Sequence, residues 1–462
     1  MKNTNKIFIA IIFAVCTLLF ASCAGGNSSL NEESDPTDVL ESYEPIATET
    51  TKAPVTLPPS KAFEIIPEGA EKWIDAKAQP SSIIMSQQEI QNMNEKIRND
   101  CDALVDILNY AENISGEDVK NMMYSSSGPS LPKYDKNGNS ITESKLDQIR
   151  SNRNLENIND SVDVKRAVTI QRANIRALPT NIEFYNYSYK QDHDRMQETE
   201  LSAGSAVIVL HESKDGNFYF IQSYYYYGWV SADCIAMAES EESIKCWEQY
   251  AKLLNMNTNS MDNMDFVVIT DSLLEIDGVK LSMGTALPLD KNASGEDYYA
   301  ALLPCKNSNG ELAQIEAKVS IESACVGFPE YNYKNFCIQA FKYVGMPYGW
   351  GGMKDGIDCS GYVLSVFKTF GFVFPRNTGE QYGTVGNVNM TTDMTGSQIS
   401  QALSETKSPT IIYIPGHAMI YLGEIDGVHY IIHAPGGGRV CEDTYDKFSS
   451  VMSFCLVGLN GM

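Results

Sequence analysis

The stretch Tyr348-Gly349-Trp350-Gly351-Gly352, then Asp358-Cys359-Ser360-Gly361, then Val363, Val366, Phe367 and Phe370, decides how this chain is read. The last four residues recur at i, i+3, i+4 and i+7, so the spacing predicts an amphipathic helix that opens near Cys359 and is stopped by Gly371. A cysteine at that terminus meets unpaired N–H groups and a partial positive charge, which favour the thiolate form that a cysteine nucleophile needs. The other cysteines have no such setting, and a buried small hydrophobe is the usual role of a cysteine.

A thiol nucleophile needs a base, and the chain holds only 5 histidines. His417 lies in Pro415-Gly416-His417-Ala418-Met419-Ile420-Tyr421-Leu422-Gly423, and His433 in Tyr430-Ile431-Ile432-His433-Ala434. Glu424 to Gly427 interrupts these two apolar, β-prone runs, so the segment reads as a hairpin. Pairing centred on Ile425 sets 417 opposite 433, on one face of the ladder, so that one imidazole reaches the thiol and the other orients it. On the same reasoning His429 lies about 13 Å along the strand from His433, too far to take part. His193 and His211 read as surface or strand polar residues.

Working outward, 462 residues with 35 basic and 59 acidic side chains give a net charge of -24, which disfavours a nucleic-acid partner. The length suggests several domains. Lys2 and Lys6 precede an apolar run from Ile7 to Phe20 that is too short for a bilayer span, and Phe20-Ala21-Ser22-Cys23 follows it in the manner of a lipobox. Residues 1–23 are therefore expected to be a lipoprotein signal with Cys23 lipidated, and 24–60, rich in Ser, Thr, Pro and acids, a disordered tether on the outer side of a bacterial membrane. Residues 61–164 read as helical, with Ser86-Gln87-Gln88-Glu89 as a capping box. Residues 165–240 shift to strand periodicity with a hairpin at Lys214-Asp215-Gly216-Asn217. Residues 241–328 hold a helical connector and a second strand-rich module, and 329–462 carry the cysteine and both histidines. From Glu330 onward the chain has 8 basic against 11 acidic side chains, so the excess acidity belongs to the earlier segments. No CxxC or HExxH spacing suggests zinc, and the glycines at 351 and 352 lack a phosphate-binding fingerprint. Neither metal nor other cofactor is expected.

Together with Pro375-Arg376-Asn377-Thr378 to Gln381, Gly416-His417 to Leu422-Gly423 and Ile432-His433-Ala434, the opening motifs resemble the NlpC/p60 cysteine peptidases of bacterial cell walls. Upstream, Arg172, Arg176-Ala177-Leu178-Pro179-Thr180, Asp194-Arg195-Met196-Gln197 and Gly228-Trp229-Val230 look like the first bacterial SH3 (SH3b) domain of the multi-domain members. The resemblance implies a multi-domain chain: a papain-like α+β peptidase domain behind two small SH3-like β-barrels and a helical or clip-like amino-terminal segment. It further implies Cys359 as nucleophile, His417 as general base and then acid, and His433 as its orienting partner. Tyr348 would help bind the oxyanion, and Asp358 and Ser360 would help receive the substrate's amino terminus. The activity implied is hydrolysis, through a thioester, of the γ-D-glutamyl to diamino-acid amide bond in peptidoglycan stem peptides that begin with a free L-Ala, by a monomeric enzyme.

Two other readings stand beside this one: a non-catalytic wall-binding lipoprotein on the same scaffold, and a Cys-His amidase or acyltransferase acting on another substrate. Retention of a thiol and two histidines in one pattern argues for catalysis. The run Tyr224 to Tyr227 is expected to pack as cross-strand aromatics rather than to bind sugar or peptide.

Overall fold

The computed structural model describes residues 55–255, 264–384, 387–390, 395–405, 409–448 and 455–458. Cys23 and nearly all of the expected signal and tether lie outside them. After Val55 the chain forms helices α1 (Glu71–Asp75), α2 (Gln87–Asp100), α3 (Gly116–Ser125) and α4 (Glu143–Ser151). Helix α2 starts where the capping box requires, with Ser86 and Glu89 exchanging hydrogen bonds. These helices share no core of their own. Trp73, Ile74, Ile90 and Ile97 are buried against the carboxy-terminal module, Val119 and Met123 against the first sheet, and Leu146 and Ile149 against Leu178, Phe184 and Met196.

A seven-stranded sheet follows: β1 (Lys165–Thr169), β2 (Ala173–Arg176), β3 (Gln197–Leu201), β4 (Ala206–Glu212), β5 (Phe218–Gln222), β6 (Tyr227–Ser231) and β7 (Ile235–Ala238), in the order β7-β1-β4-β5-β6-β2-β3. Its inward residues, including Ile175, Phe220 and Trp229, are fully buried. Helix α5 (Glu241–Asn255) leads to β8 (Phe266–Ile269), β9 (Leu273–Ile276), β10 (Val279–Ser282), β11 (Ala286–Asp290), β12 (Tyr298–Lys306), β13 (Leu312–Ser320) and β14 (Ala324–Val326). Five of these make a sheet ordered β13-β12-β11-β8-β14, while β9 and β10 stand apart as a hairpin turning on Asp277-Gly278, both with positive φ.

The last module combines α6 (Tyr333–Phe341), α7 (Cys359–Lys368), α8 (Thr378–Thr384) and α9 (Gly396–Ser404) with β15 (Asn387–Met390), β16 (Thr410–Ile414), β17 (His417–Ile425), β18 (Val428–His433), β19 (Cys441–Thr444) and β20 (Cys455–Gly458), ordered β15-β20-β16-β17-β18-β19. One face of this sheet, through Ala418, Ile420 and Ile432, packs on α7 and the aromatic core of Phe336, Phe367, Phe370 and Phe372. The other, through Met419, Tyr421 and Ile431, packs on α9. The amino-terminal helices pin this module: Asn94 donates to Gly371 O (2.8 Å) and accepts from Val373 N (2.8 Å), and Trp73 Nε1 donates to Glu442 (3.1 Å). The eight cysteines with described side chains are all free thiols.

Candidate active site

Cys359 is the first residue of α7. Asp358 caps that helix by accepting from Gly361 N at 2.8 Å. The helix ends at Lys368, and Gly371, with φ of 92°, turns the chain away as its position in the sequence requires. The thiol lies against β17, where the Ala418 amide and the Thr378 hydroxyl both favour its ionised form. Burial nevertheless pushes the Cys359 thiol up, and the neighbouring Asp358 carboxylate adds to that shift. Removal from water and the adjacent carboxylate thus act against the thiolate, while the Ala418 amide and the Thr378 hydroxyl act for it.

The two histidines meet, by a different route from the one the sequence suggested. The hairpin turns on Asp426-Gly427, with φ of 52° and 78°, so Ile425 pairs with Val428 instead of standing at the centre. Near the turn Gly423 faces Tyr430, whereas beyond it Tyr421 faces Ile431 and Ile420 faces Ile432, so Leu422 is the extra residue of a β-bulge. Gly423, at φ of 138°, supplies the conformation the bulge needs. The last pair of this ladder is Ile420 with Ile432, so one further residue along it brings His433 level with Met419, two residues along β17 from His417. His417 Nε2 and His433 Nδ1 are 2.8 Å apart. Burial, and secondarily the charge of His433, lower the His417 pKa to about 4.

Tyr348 approaches from the loop before α7, its backbone N–H bound to Gly438 O at 2.9 Å. Burial, with Asp358 and Cys359 nearby, pushes its phenol up, so the hydroxyl is a hydrogen-bond donor at neutral pH. Asp358 and Ser360 lie together, but their polar atoms face into the protein. Arg376 donates to both Asp358 oxygens (3.1 and 2.5 Å) and to Ser360 Oγ (2.9 Å), and Gly351 N donates to Asp358 Oδ2 (2.9 Å). Burial alone would raise the Asp358 pKa, but Arg376 and the Gly361 and Gly351 amides more than reverse it and hold the carboxyl below its usual range.

Several neighbours come from remote segments, and of these Thr199 and His193 carried no signal as parts of the site. Arg376 Nε donates to Thr199 Oγ1 at 2.6 Å, which joins strand β3 to the catalytic module. His193, expected at a surface or in a strand, instead sets its ring 5.8 Å from that of Tyr348 and 5.4 Å from that of Trp350. The loop that carries it is built on a buried Arg176–Asp194 ion pair, with Asp194 Oδ1 also accepting from Phe184 N (2.8 Å) and Met196 N (2.9 Å). His211 contacts Asn154 O (3.1 Å), and His429 is held by Ser400 (2.7 Å) and Tyr421 (2.9 Å), away from the pair. Of the tyrosine run, Tyr224 and Tyr225 are buried, while Tyr226 donates to Glu198 at 2.6 Å. Tyr225, Tyr226 and Tyr227 line a cavity of about 250 Å³ with Asp102, Glu198, Asn377 and Glu380.

The sequence matches two family patterns: the NlpC/P60 family over residues 345–455 and the SH3 domain of SH3b1 type over residues 184–231. The chain is 31% identical over 101 residues to a gamma-D-glutamyl-L-lysine dipeptidyl-peptidase of Bacillus subtilis, covering 22% of this chain and 31% of that protein. It is 39% identical over 59 residues to the bifunctional muramidase/DL-endopeptidase CwlT of the same organism, covering 12% of this chain and 18% of that one. The chain thus matches less than a third of the length of either relative. An NlpC/P60 endopeptidase from Photobacterium damselae subsp. piscicida superimposes with a TM-score of 0.68 over 88% of this chain and 99% of its own, at 21% identity, a likeness of fold. Residues 345–455, which hold the cysteine, both histidines and Tyr348, are thus an NlpC/P60-family domain, set behind an SH3 domain of the SH3b1 type.

Proposed function

We propose that this chain is a cysteine endopeptidase of the bacterial cell wall, cutting the γ-D-glutamyl to diamino-acid amide bond of stem peptides with a free amino-terminal L-Ala. The observation that carries the reading is the Cys359 thiol at the start of α7, set against the Ala418 amide next in sequence to His417, with His417 hydrogen-bonded to His433. With His417 Nε2–H donating to His433 Nδ1, the Nδ1 lone pair of His417 is left for the thiol. The resting pair is neutral, because the thiol is shifted up and the imidazole down. The proton therefore moves to His417 as sulfur attacks the carbonyl carbon. Tyr348 Oη–H donates to the developing oxyanion. His417 then protonates the leaving amine, the thioester forms, and a water deprotonated by His417 releases the acid and the thiol.

Asp358, neutralised by Arg376, offers little to an ammonium group. In this reading it and Ser360 act one step back, by fixing the helix terminus. The acidic cavity of Asp102, Glu198 and Glu380, bordered by Asn377, offers the substrate amine a second set of carboxylates, and its lining by Tyr225, Tyr226 and Tyr227 departs from the purely packing role expected of that run. The second sheet is taken as a second SH3-like module. Cys23, lipidated, holds the whole on the outer side of the membrane. Palmitate that entered the wild type and Cys23→Ala equally would refute that anchor.

The deciding experiment incubates the soluble protein with L-Ala-γ-D-Glu-diaminopimelate and reads L-Ala-γ-D-Glu by mass spectrometry. Release that Cys359→Ala abolishes supports the mechanism. Release that survives this substitution overturns it, and no cleavage of any wall peptide favours the binding protein.

A further inference from the structure

The loop from Gly349 to Gly356 is closed by Gly352 N–H to Gly349 O (3.0 Å) and Gly356 N–H to Met353 O (2.9 Å), yet its backbone is strained. Four of its residues, Gly351, Gly352, Lys354 and Asp355, have φ between 55° and 81°, a region that non-glycine residues occupy only under constraint. Beyond the bonds within the module, among them Gly351 N–H to Asp358 (2.9 Å), the loop is gripped by segments outside it. Gln197 of β3 grips the loop twice, accepting from Trp350 Nε1 through its carbonyl (2.9 Å) and donating through Nε2 to Gly351 O (2.9 Å). Lys354 Nζ reaches Gln191 O (3.2 Å). Asp355 is held on one side by Arg172 of the first sheet (2.9 Å), itself paired with Glu200 (2.9 Å), and on the other by Lys280 of the β9–β10 hairpin (2.5 Å). The approach is close: a Cβ on Gly351 would lie 2.9 Å from Glu198 O. A second line runs from Thr199 to Arg376 to Asp358 to the first turn of α7.

We propose that the SH3 domain and the β9–β10 hairpin are positioning parts of the active site: through Arg172, Gln197, Thr199 and Lys280 they set the loop that carries Tyr348 and the cap that carries Cys359. This rests on the reading of Cys359 as the nucleophile. None of the four residues touches the reacting atoms. Their effect falls on kcat, because a loop displaced by about 1 Å still admits substrate but misplaces the oxyanion donor, at a cost of up to roughly 100-fold.

Two variants of the full chain test the two lines. Asp355→Asn keeps a side chain that accepts the left-handed conformation and removes the charge that Arg172 and Lys280 hold. Thr199→Val removes the oxygen that Arg376 meets, and Thr199→Ser restores it. Expected are a fall in kcat of about 10-fold or more with KM within about 3-fold, restored by Thr199→Ser, and faster amide exchange confined to 349–361. The remote Lys214→Met should match the wild type. Unchanged kcat in both variants, or a loss that tracks global unfolding with exchange in 349–361 unaltered, overturns the proposal. A wild type that cleaves no wall peptide refutes the nucleophile reading instead. The exchange measurement then still decides, since unchanged protection in Asp355→Asn sinks the positioning role by itself.

Discussion

The two halves of the site are built differently. The Cys359–His417–His433 half is made by residues of one module, from a capped helix and one bulged hairpin. The Tyr348–Asp358 half is shaped by contacts from segments more than 150 residues upstream, through Gln197, Thr199 and Arg172. Chemistry is local and presentation is long-range. The first half needs one helix terminus and one hairpin, elements within a single module. The second needs a strained loop, and strain persists only where surrounding structure imposes it.

Substitutions in each half should therefore fail in different ways. Cys359→Ala should lower kcat/KM by about 10³-fold or more while leaving the denaturant midpoint nearly unchanged, since it removes the nucleophile and little packing. Arg376→Met should cost about 3–5 kcal/mol in urea unfolding, because it leaves the buried Asp358 carboxylate without its cation. Gly352→Ala places a Cβ 2.2 Å from Glu200 Cγ at φ of 81°, so Glu200 must leave Arg172. A loss of about 1–2 kcal/mol, read by thermal melting, and a fall in kcat are expected.

The acid limb of the rate profile sharpens the local half. His417 works as a base only when neutral, and its pKa of about 4 keeps it so through the mildly acidic range. Wild-type kcat/KM should stay level as pH falls through 6.5 and decline only as it nears 4. In His433→Asn one of the two lowering influences is gone, so the decline should begin at higher pH, with burial still keeping it below 6.5. The same sign applies to stability. The unfolded imidazole takes up its proton first, so the stabilisation present above the ordinary histidine pKa is lost as pH drops towards 4. The smallest effect belongs to Ser400→Ala, which removes a contact to His429. Less than about 1 kcal/mol and an unaltered kcat/KM are expected by melting and steady-state kinetics.

The helix at Cys359, its stop at Gly371, the capping box at Ser86 and the hairpin that joins the two histidines were legible as patterns of period and turn chemistry. The bulge at Leu422 was not, because nothing in an alternating run marks which residue is extra. The pairing of His417 with His433 was anticipated for a register the chain does not adopt. His193 and Thr199 gave no signal as neighbours of the site, and Gln197 stood out only within an SH3b motif, since their roles here come from where a distant loop comes to rest.

The sequence by itself determined which atoms can do the chemistry: a thiol at the start of a helix and two imidazoles on one hairpin, each specified within a few residues. Only the tertiary structure decided the protonation state of that thiol, the partner of Asp358 and the shape of the Tyr348 loop. Burial and the meeting of charges from remote segments are properties of the packed chain, and no local window of residues contains them.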